Sequence, residues 1–236
     1  IGHGAPGWMR QMGLSSDSPI RLLREATTVI RRLLDGEPVT RSGNFDFDDV
    51  ALDHPPVVEI PIYFGVQGPV SLRLAGELAD GTLLGWFGSP GSVAWARQRI
   101  DEGRDRVGRS GSHKLATLCL LSLSNDDPAE AGRALAEWAG PMLAAMADGP
   151  SMESSPEGEE LRALVDMVGK DGLAEKLPLT LLRRFVATGT LDDCATTISN
   201  LLDAGAERVV LVPNPAGFRS TPEMLDQMAL ASTLAE

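Results

Sequence analysis

Basic charge, histidine and cysteine are all scarce in this chain, and each scarcity narrows what it can do. Its 236 residues hold 21 Lys and Arg against 33 Asp and Glu, a net charge of −12. Covering a nucleic-acid backbone needs a basic face, so no nucleic-acid partner is expected, although one bound anion needs only local donors. Three histidines, at 3, 54 and 113, leave no material for a His-rich metal site, and no metal is expected. Cys119 and Cys194 lack Cys-x-x-Cys spacing, which argues against a zinc site or a disulfide framework. Two buried thiols in a reducing cytoplasm fit them better. No apolar run approaches membrane-spanning length and no secretory signal is legible, so a membrane partner is not expected. Gly-x-Ser-x-Gly, P-loop and His-Glu-x-x-His patterns are missing too.

What the chain does have is one clear strand–helix–strand stretch, from Ile60 to Trp86. Ile60 to Val66 is a short β-branched and aromatic run of the kind found in buried parallel strands. Gln67-Gly68-Pro69 breaks it, and Pro69 stands where the first residue of a helix would be, its missing N–H costing nothing there. Leu72, Leu74, Ala75, Leu78 and Ala79 follow, Asp80-Gly81 stops the helix, and Thr82 to Trp86 is a second strand. Gly65 and Gly68 bare the backbone just ahead of a helix N-terminus, whose open N–H groups and dipole suit a phosphate. The same two glycines would also serve a tight strand–helix turn, and spacing alone does not separate the two readings.

Elsewhere the spacing predicts a helix over Pro19–Leu34, with Ser18 as N-cap, and a β-hairpin around Gly43-Asn44. A further helix runs from Ser89-Pro90 to about Val107. Its cluster of Arg97, Arg99, Arg104, Arg106 and Arg109 reads as a solvated face. Lys114 to Ser124 is an apolar strand. The stretch 126–188 reads as an inserted helical subdomain with a mobile loop at 149–158, where apolar anchors are few. Thr190, with Asp192 and Asp193, opens another helix. Arg208 to Val212 is the last strand, and Thr221-Pro222 opens a terminal helix. Parallel strands are therefore expected at 58–66, 81–87, 114–123 and 207–213, with Ile1–Gly4 beside them.

The segment Pro61-Ile-Tyr63, Gln67-Gly-Pro69, Leu74-Ala-Gly-Glu77 and Ala79-Asp-Gly81 resembles the luciferase-like monooxygenase superfamily, most closely its F420-dependent, methylenetetrahydromethanopterin reductase-like branch. Weaker likeness covers nearly the whole chain, from Ile1-Gly-His-Gly4 to Val209–Pro213. The resemblance implies an α/β fold, a (β/α)8 TIM barrel of the bacterial luciferase type, present here as its later strands. Residues 1–236 would then be one barrel domain, its C-terminal portion, with the helical insertion at about 126–188. About three and a half family strands have no counterpart, and residues upstream of Ile1 are expected.

The family's chemistry implies hydride transfer between the deazaflavin F420 and a small organic substrate. FMN-dependent oxygenation is the alternative, and a non-catalytic flavin- or partner-binding relative is another. Gly65, Val66, Gln67, Gly68 and Pro69 would hold the cofactor phosphate, and Gly2 and Gly4 would flank its ring. His3 is the candidate catalytic group, since imidazole titrates near neutrality. Trp86 and Asn214 would border the substrate. Ala5 stands where many relatives carry an acid, which leaves the proton donor open. A cytoplasmic homodimer acting on a small molecule completes the expectation.

Overall fold

The computed structural model describes residues 1–4, 6–14, 18–214 and Ala229. Ala5 and the terminal helix expected from Thr221 lie outside the described residues. The chain divides into two compact units, Ile1–Leu83 with Arg99–Lys114, and Leu84–Gln98 with the chain from Leu115 onward.

The first unit opens with α1 (Pro6–Gln11) and α2 (Pro19–Leu34), then β1 (Val39–Arg41) and β2 (Phe47–Val50). The two strands form the expected antiparallel hairpin, with an irregular register between Val39 and Arg41. A buried carboxylate ties the hairpin to α2. Glu25 accepts from Arg21 Nε at 3.0 Å and Asn44 Nδ2 at 2.8 Å and pairs with Arg41 Nη2 at 3.1 Å.

Next come β3 (Tyr63–Gly65), α3 (Pro69–Leu78) and β4 (Gly81–Leu84), with β3 parallel to β4 in the register Tyr63↔Gly81 to Gly65↔Leu83. The strand–helix–strand unit is as the sequence reads, but β3 is shorter than 58–66. Val57 is fully exposed and Val58 largely so, and Pro55, Pro56 and Pro61 remove ladder donors along the approach. Ile62, Phe64 and Val66 alternate inward. Ile1 adds a single rung beside β3: its amino group donates to Tyr63 O at 2.6 Å, and Gly65 N–H donates to Ile1 O at 2.8 Å. Residues 1–4 are otherwise not a strand, because one rung makes no ladder.

Asp80 fixes this unit. Its carboxylate accepts the Ile62 N–H at 2.8 Å, Arg31 Nη2 of α2 at 2.5 Å and Arg109 Nη2 at 2.7 Å. Its main chain donates to Ile62 O and accepts from Lys114 N. Burial pushes the carboxyl up, but the Ile62 N–H and the two guanidiniums outweigh it and hold it below the ordinary Asp range.

Helix α4 (Pro90–Arg106) reaches into this unit from Arg99. Its arginines are not the solvated face that their clustering suggests; only Arg106 of the five is exposed. Arg104 is buried and donates to Arg109 O and Gly111 O, Arg99 pairs with Glu102, and Arg109 reaches Asp80. Arg97, Arg99, Arg104 and Arg109 have acceptors on main chain or acids, which a count of charges cannot reveal. Helix α3 meets this stretch of α4 through glycine. A Cβ on Gly103 would lie 1.9 Å from Arg73 O, and one on Gly76 2.0 Å from Ile100 O.

In the second unit β5 (Lys114–Leu123) is followed by α5 (Pro128–Met146), α6 (Pro150–Glu153), α7 (Pro156–Val168), α8 (Leu173–Lys176) and α9 (Leu179–Leu182). Then come β6 (Ala187–Gly189), α10 (Leu191–Asp203) and β7 (Arg208–Pro213). Strand β5 lies between β6 and β7 and is parallel to both. Strand β6 corrects the sequence reading, which runs helix through Thr188; three buried residues are too few to show a strand period. The 149–158 stretch, expected as a loop, is largely helical. Met152 is fully buried and Ser155 caps α7 by accepting the Gly158 N–H at 3.1 Å, so one apolar anchor and one cap hold a segment composed like a loop. Thr190 caps α10 as expected, and Asp193 returns the bond to complete a capping box; both cysteines are buried free thiols.

Two outcomes follow from the first unit. Gly103→Ala would gain about 1 kcal/mol in an open helix, but here the added carbon must push the α3 and α4 backbones apart, which costs about 1–3 kcal/mol. Denaturant melts should show net destabilisation, and a stabilised variant would refute the close packing. For Asp80, a depressed folded pKa means stability present above pH ~4 and lost as pH falls through the folded value. Asp80→Asn should cost about 1.5–3 kcal/mol at pH 7 and flatten the acid limb of stability against pH. An unchanged acid limb would show that the carboxylate is not the anchor.

Candidate functional site

The strand–helix loop of the first unit is built from the end of β3, residues 66–68 and the first turn of α3. Gly68 holds the N-cap position of α3 at φ −77°, ψ 153°, and no side chain caps the helix. The amides of Val70 and Ser71 fall in the first turn, where helix geometry gives them no partner. Leu72 N–H is the first to close onto Gly68 O, at 2.9 Å. The dipole adds partial positive charge at the same end.

The surroundings of the loop's two glycines show whether the turn itself requires them. At φ −77° Gly68 needs no glycine for its backbone, and a Cβ there would meet only Ser71 Oγ, at 3.4 Å. Gly65 is equally unconstrained, with Ile1 O at 3.9 Å as its nearest neighbour. Neither is demanded by the turn. The fold leaves an uncovered stretch of backbone beside open amides, the local shape that an anion needs. Not every amide is available, since Gly65 N–H already serves Ile1 O. Arg73 is held by Glu102 at 2.7 Å, so amides and dipole would hold an anion here.

Gly2 and Gly4 are glycines of the other kind. A Cβ on Gly2 would lie 2.8 Å from Gly65 O, and Gly4 sits at φ +71° with Met9 Sδ 2.7 Å from a Cβ position. Residues 1–2 therefore pack directly on the end of β3. His3 follows, half-buried, with Nδ1 3.1 Å from Gly4 O. A carbonyl only accepts, so Nδ1 carries the hydrogen in this contact and Nε2 is left to accept or bind a proton.

Gly2, His3 and Gly4 line a cavity of about 630 Å³ whose walls include Met9, Leu22, Leu23 and Phe45. That volume suits a small ligand. Gly65 to Pro69 do not line it. The structure thus brings Gly2 onto Gly65 but leaves the loop at 66–69 outside the cavity.

Trp86 and Asn214 belong to the second unit. Each follows the C-terminal end of a parallel strand, β4 and β7, the end where open α/β sheets bind ligands. Asn214 is buried, its N–H donating to Leu121 O at 2.8 Å. Trp86 stacks at a tilt on Trp138, with centroids 5.2 Å apart. Sequence reading passes over two features here: Phe87 at φ +67°, and the Ser89–Ser92 pair that caps α4 reciprocally at 2.8 and 3.2 Å. The Ser89-Pro90 start signal could have found the second; nothing local signals the first.

Parallel strands alternating with helices, and ligand-grade loops at their C-terminal ends, define an α/β protein of the barrel-forming type. Comparison makes this specific. The family described as Luciferase-like monooxygenase matches residues 1–208, and this chain belongs to it. The chain is 30% identical over 219 residues to a 5,10-methylenetetrahydromethanopterin reductase of Archaeoglobus fulgidus, covering 89% of this chain and 65% of the relative. It is 28% identical over 192 residues to an F420-dependent glucose-6-phosphate dehydrogenase of Microbacterium testaceum, covering 80% and 53%. Among solved structures, an F420-dependent secondary alcohol dehydrogenase in complex with an F420-acetone adduct superposes with a TM-score of 0.72 at 22% identity, over 100% of this chain and 68% of that one. The chain therefore spans about 65% of the length of the reductase it matches. Its fold is a portion of the family's (β/α)8 barrel.

Proposed function

We propose that this chain is the cofactor-bearing portion of an F420-linked oxidoreductase acting on a small organic molecule. The observation that carries the reading is the α3 N-terminus: uncapped, with open amides at Val70 and Ser71, and headed by a glycine that the fold itself does not need. The relatives named for F420-linked reactions support the choice of cofactor. When bound, F420 supplies hydride chemistry, exchanging two electrons and a proton with a substrate carbon.

The chain's own residues hold, orient and shield. Val66, Gln67 and Gly68 are assigned to the cofactor phosphate, with Gln67 and Gly68 exposed and Val66 buried, and Pro69, which has no N–H, pre-sets the helix that aims the amides. Gly2 and Gly4 keep the β3 edge thin enough for a flat ring to approach. His3 Nε2, at the cavity wall, is assigned the proton held or moved there. Trp86 and Asn214 are assigned to the substrate. A homodimer in the cytoplasm belongs to the same reading, and sedimentation of the purified protein tests the dimer.

FMN carries a phosphate as well, so an FMN-dependent monooxygenase is the second reading, favoured by the same loop. Oxygen separates the two: substrate turnover should persist under strict anaerobiosis with F420, and loss of turnover on removing oxygen would favour FMN.

The phosphate assignment has its own test. Gly68→Val keeps an allowed extended conformation and costs about 1 kcal/mol or less as a cap change. Its side chain would fill the space that the phosphate needs. F420 affinity measured by fluorescence quenching should fall at least tenfold while the denaturant midpoint barely moves. Unchanged affinity would remove the phosphate from this loop.

A further inference from the structure

We infer that the cavity beside His3 takes a carboxylic acid, a molecule with an apolar body and one carboxylate, and that Arg10 binds the carboxylate. The inference rests on the reading above that assigns His3 to this cavity, and it names the class of molecule that the walls select.

The walls set the body. Met9, Leu14, Leu22, Leu23 and Phe45 give the cavity an apolar lining, and its volume of about 630 Å³ lies in the range of small-molecule sites. An apolar chain or ring gains from leaving water there in proportion to the area it buries. Among the described residues of the lining, His3 and Arg10 alone have side chains that carry nitrogen, and none carries a carboxylate. With Nδ1–H turned to Gly4 O, His3 can offer Nε2 to a ligand.

The charges set the head. Other arginines of the first unit are already engaged: Arg31 and Arg109 hold Asp80, Arg41 holds Glu25, Arg73 holds Glu102 and Arg104 holds two carbonyls. Arg10 is not. It stands exposed on α1 at the cavity wall and meets no acceptor among the described residues. Glu25, the one acid of α2, is held by Arg21, Arg41 and Asn44, so its charge is offset before an anion arrives. The chain's net charge of −12 acts weakly at this point, because charges beyond about 10 Å are screened in ordinary salt. A guanidinium presents paired N–H donors that match the two oxygens of a carboxylate. A phosphate dianion would call for a second permanent cation, and the side chains of the lining supply none.

The test is calorimetric titration of the purified chain with 4-phenylbutyrate, its neutral amide and 3-phenylpropyl phosphate, which share an aromatic body and differ in the head. The acid should bind roughly tenfold tighter than the amide and tighter than the phosphate. Arg10→Gln should bring the acid to the level of the amide and leave the amide unchanged. Raising salt from about 0.05 to about 0.5 M should narrow the acid–amide gap in the wild type, a readout that needs no variant. Phe45→Ala should weaken acid and amide alike, which locates the body in this cavity. The inference is overturned by an acid that does not bind, by equal affinity for acid and amide, by a tighter phosphate, or by an acid indifferent to Arg10→Gln or to Phe45→Ala. F420 binding, read separately by fluorescence quenching, keeps the two readings apart. F420 bound without preference for the acid leaves the cofactor reading standing alone, and preference for the acid without F420 binding leaves the cavity inference standing alone. An acid displaced by F420 would assign Arg10 to the cofactor and overturn the inference.

Discussion

Asp80 is the constraint on which the first unit depends. One carboxylate gathers the entry to β3, helix α2 and the chain after α4, and the same residue's main chain bonds to Ile62 and Lys114. Short strands need such a clamp. Strand β3 is three residues long and has prolines on its approach, so its ladder alone would hold it weakly. With Ile62 fixed, β3 ends where it must for Gly68 to head α3. Gly81 then keeps the next position open, since a Cβ there would fall 2.3 Å from the Tyr63 ring. The geometry of the candidate phosphate loop is thus set about a dozen residues downstream of it.

That dependence also explains what the sequence could and could not reveal. The β3–α3–β4 order was legible because its signals are local: a β-branched run, a proline at the first helical position, an Asp-Gly stop. The same held for the Thr190 N-cap and for β5. The role of Asp80 was not legible, because Arg31 and Arg109 stand 49 and 29 residues away. Read locally, Asp80 is only a helix terminator. The arginine cluster was misjudged for the same reason, since burial of Arg104 depends on carbonyls that no pattern announces. Strand β6 was lost because its residues are buried on both sides and too few to show a period. The family resemblance, carried by whole words such as Gln67-Gly68-Pro69, reached further than periodicity because it encodes distant contacts implicitly.

Of the candidate site, the glycine pair was legible as a feature but not as a function. Spacing could not say whether the turn requires Gly65 and Gly68, and the backbone and its neighbours show that it does not. His3 was nameable only through the resemblance, and its link to a cavity wall needs coordinates. Trp86 was nameable in the same way, but its indole N–H, buried without an acceptor among the described residues, and the strain at Phe87 exist only in three dimensions.

The glycines of this chain therefore sort by a physical criterion that composition hides. Gly76, Gly81 and Gly103 are required by their own protein, because a Cβ would strike backbone or a packed ring. Gly4 is required by a positive φ. Gly68 meets neither demand. As an N-cap it falls only a few tenths of a kcal/mol behind Ser, Asp or Asn, but those residues would satisfy an amide that stands open here. A residue that is second-best for the cap, at the point where amides and dipole converge, is what the proposed anion site rests on. An anion bound to those amides would do what a capping side chain does elsewhere, and would do it only while the position has no side chain of its own.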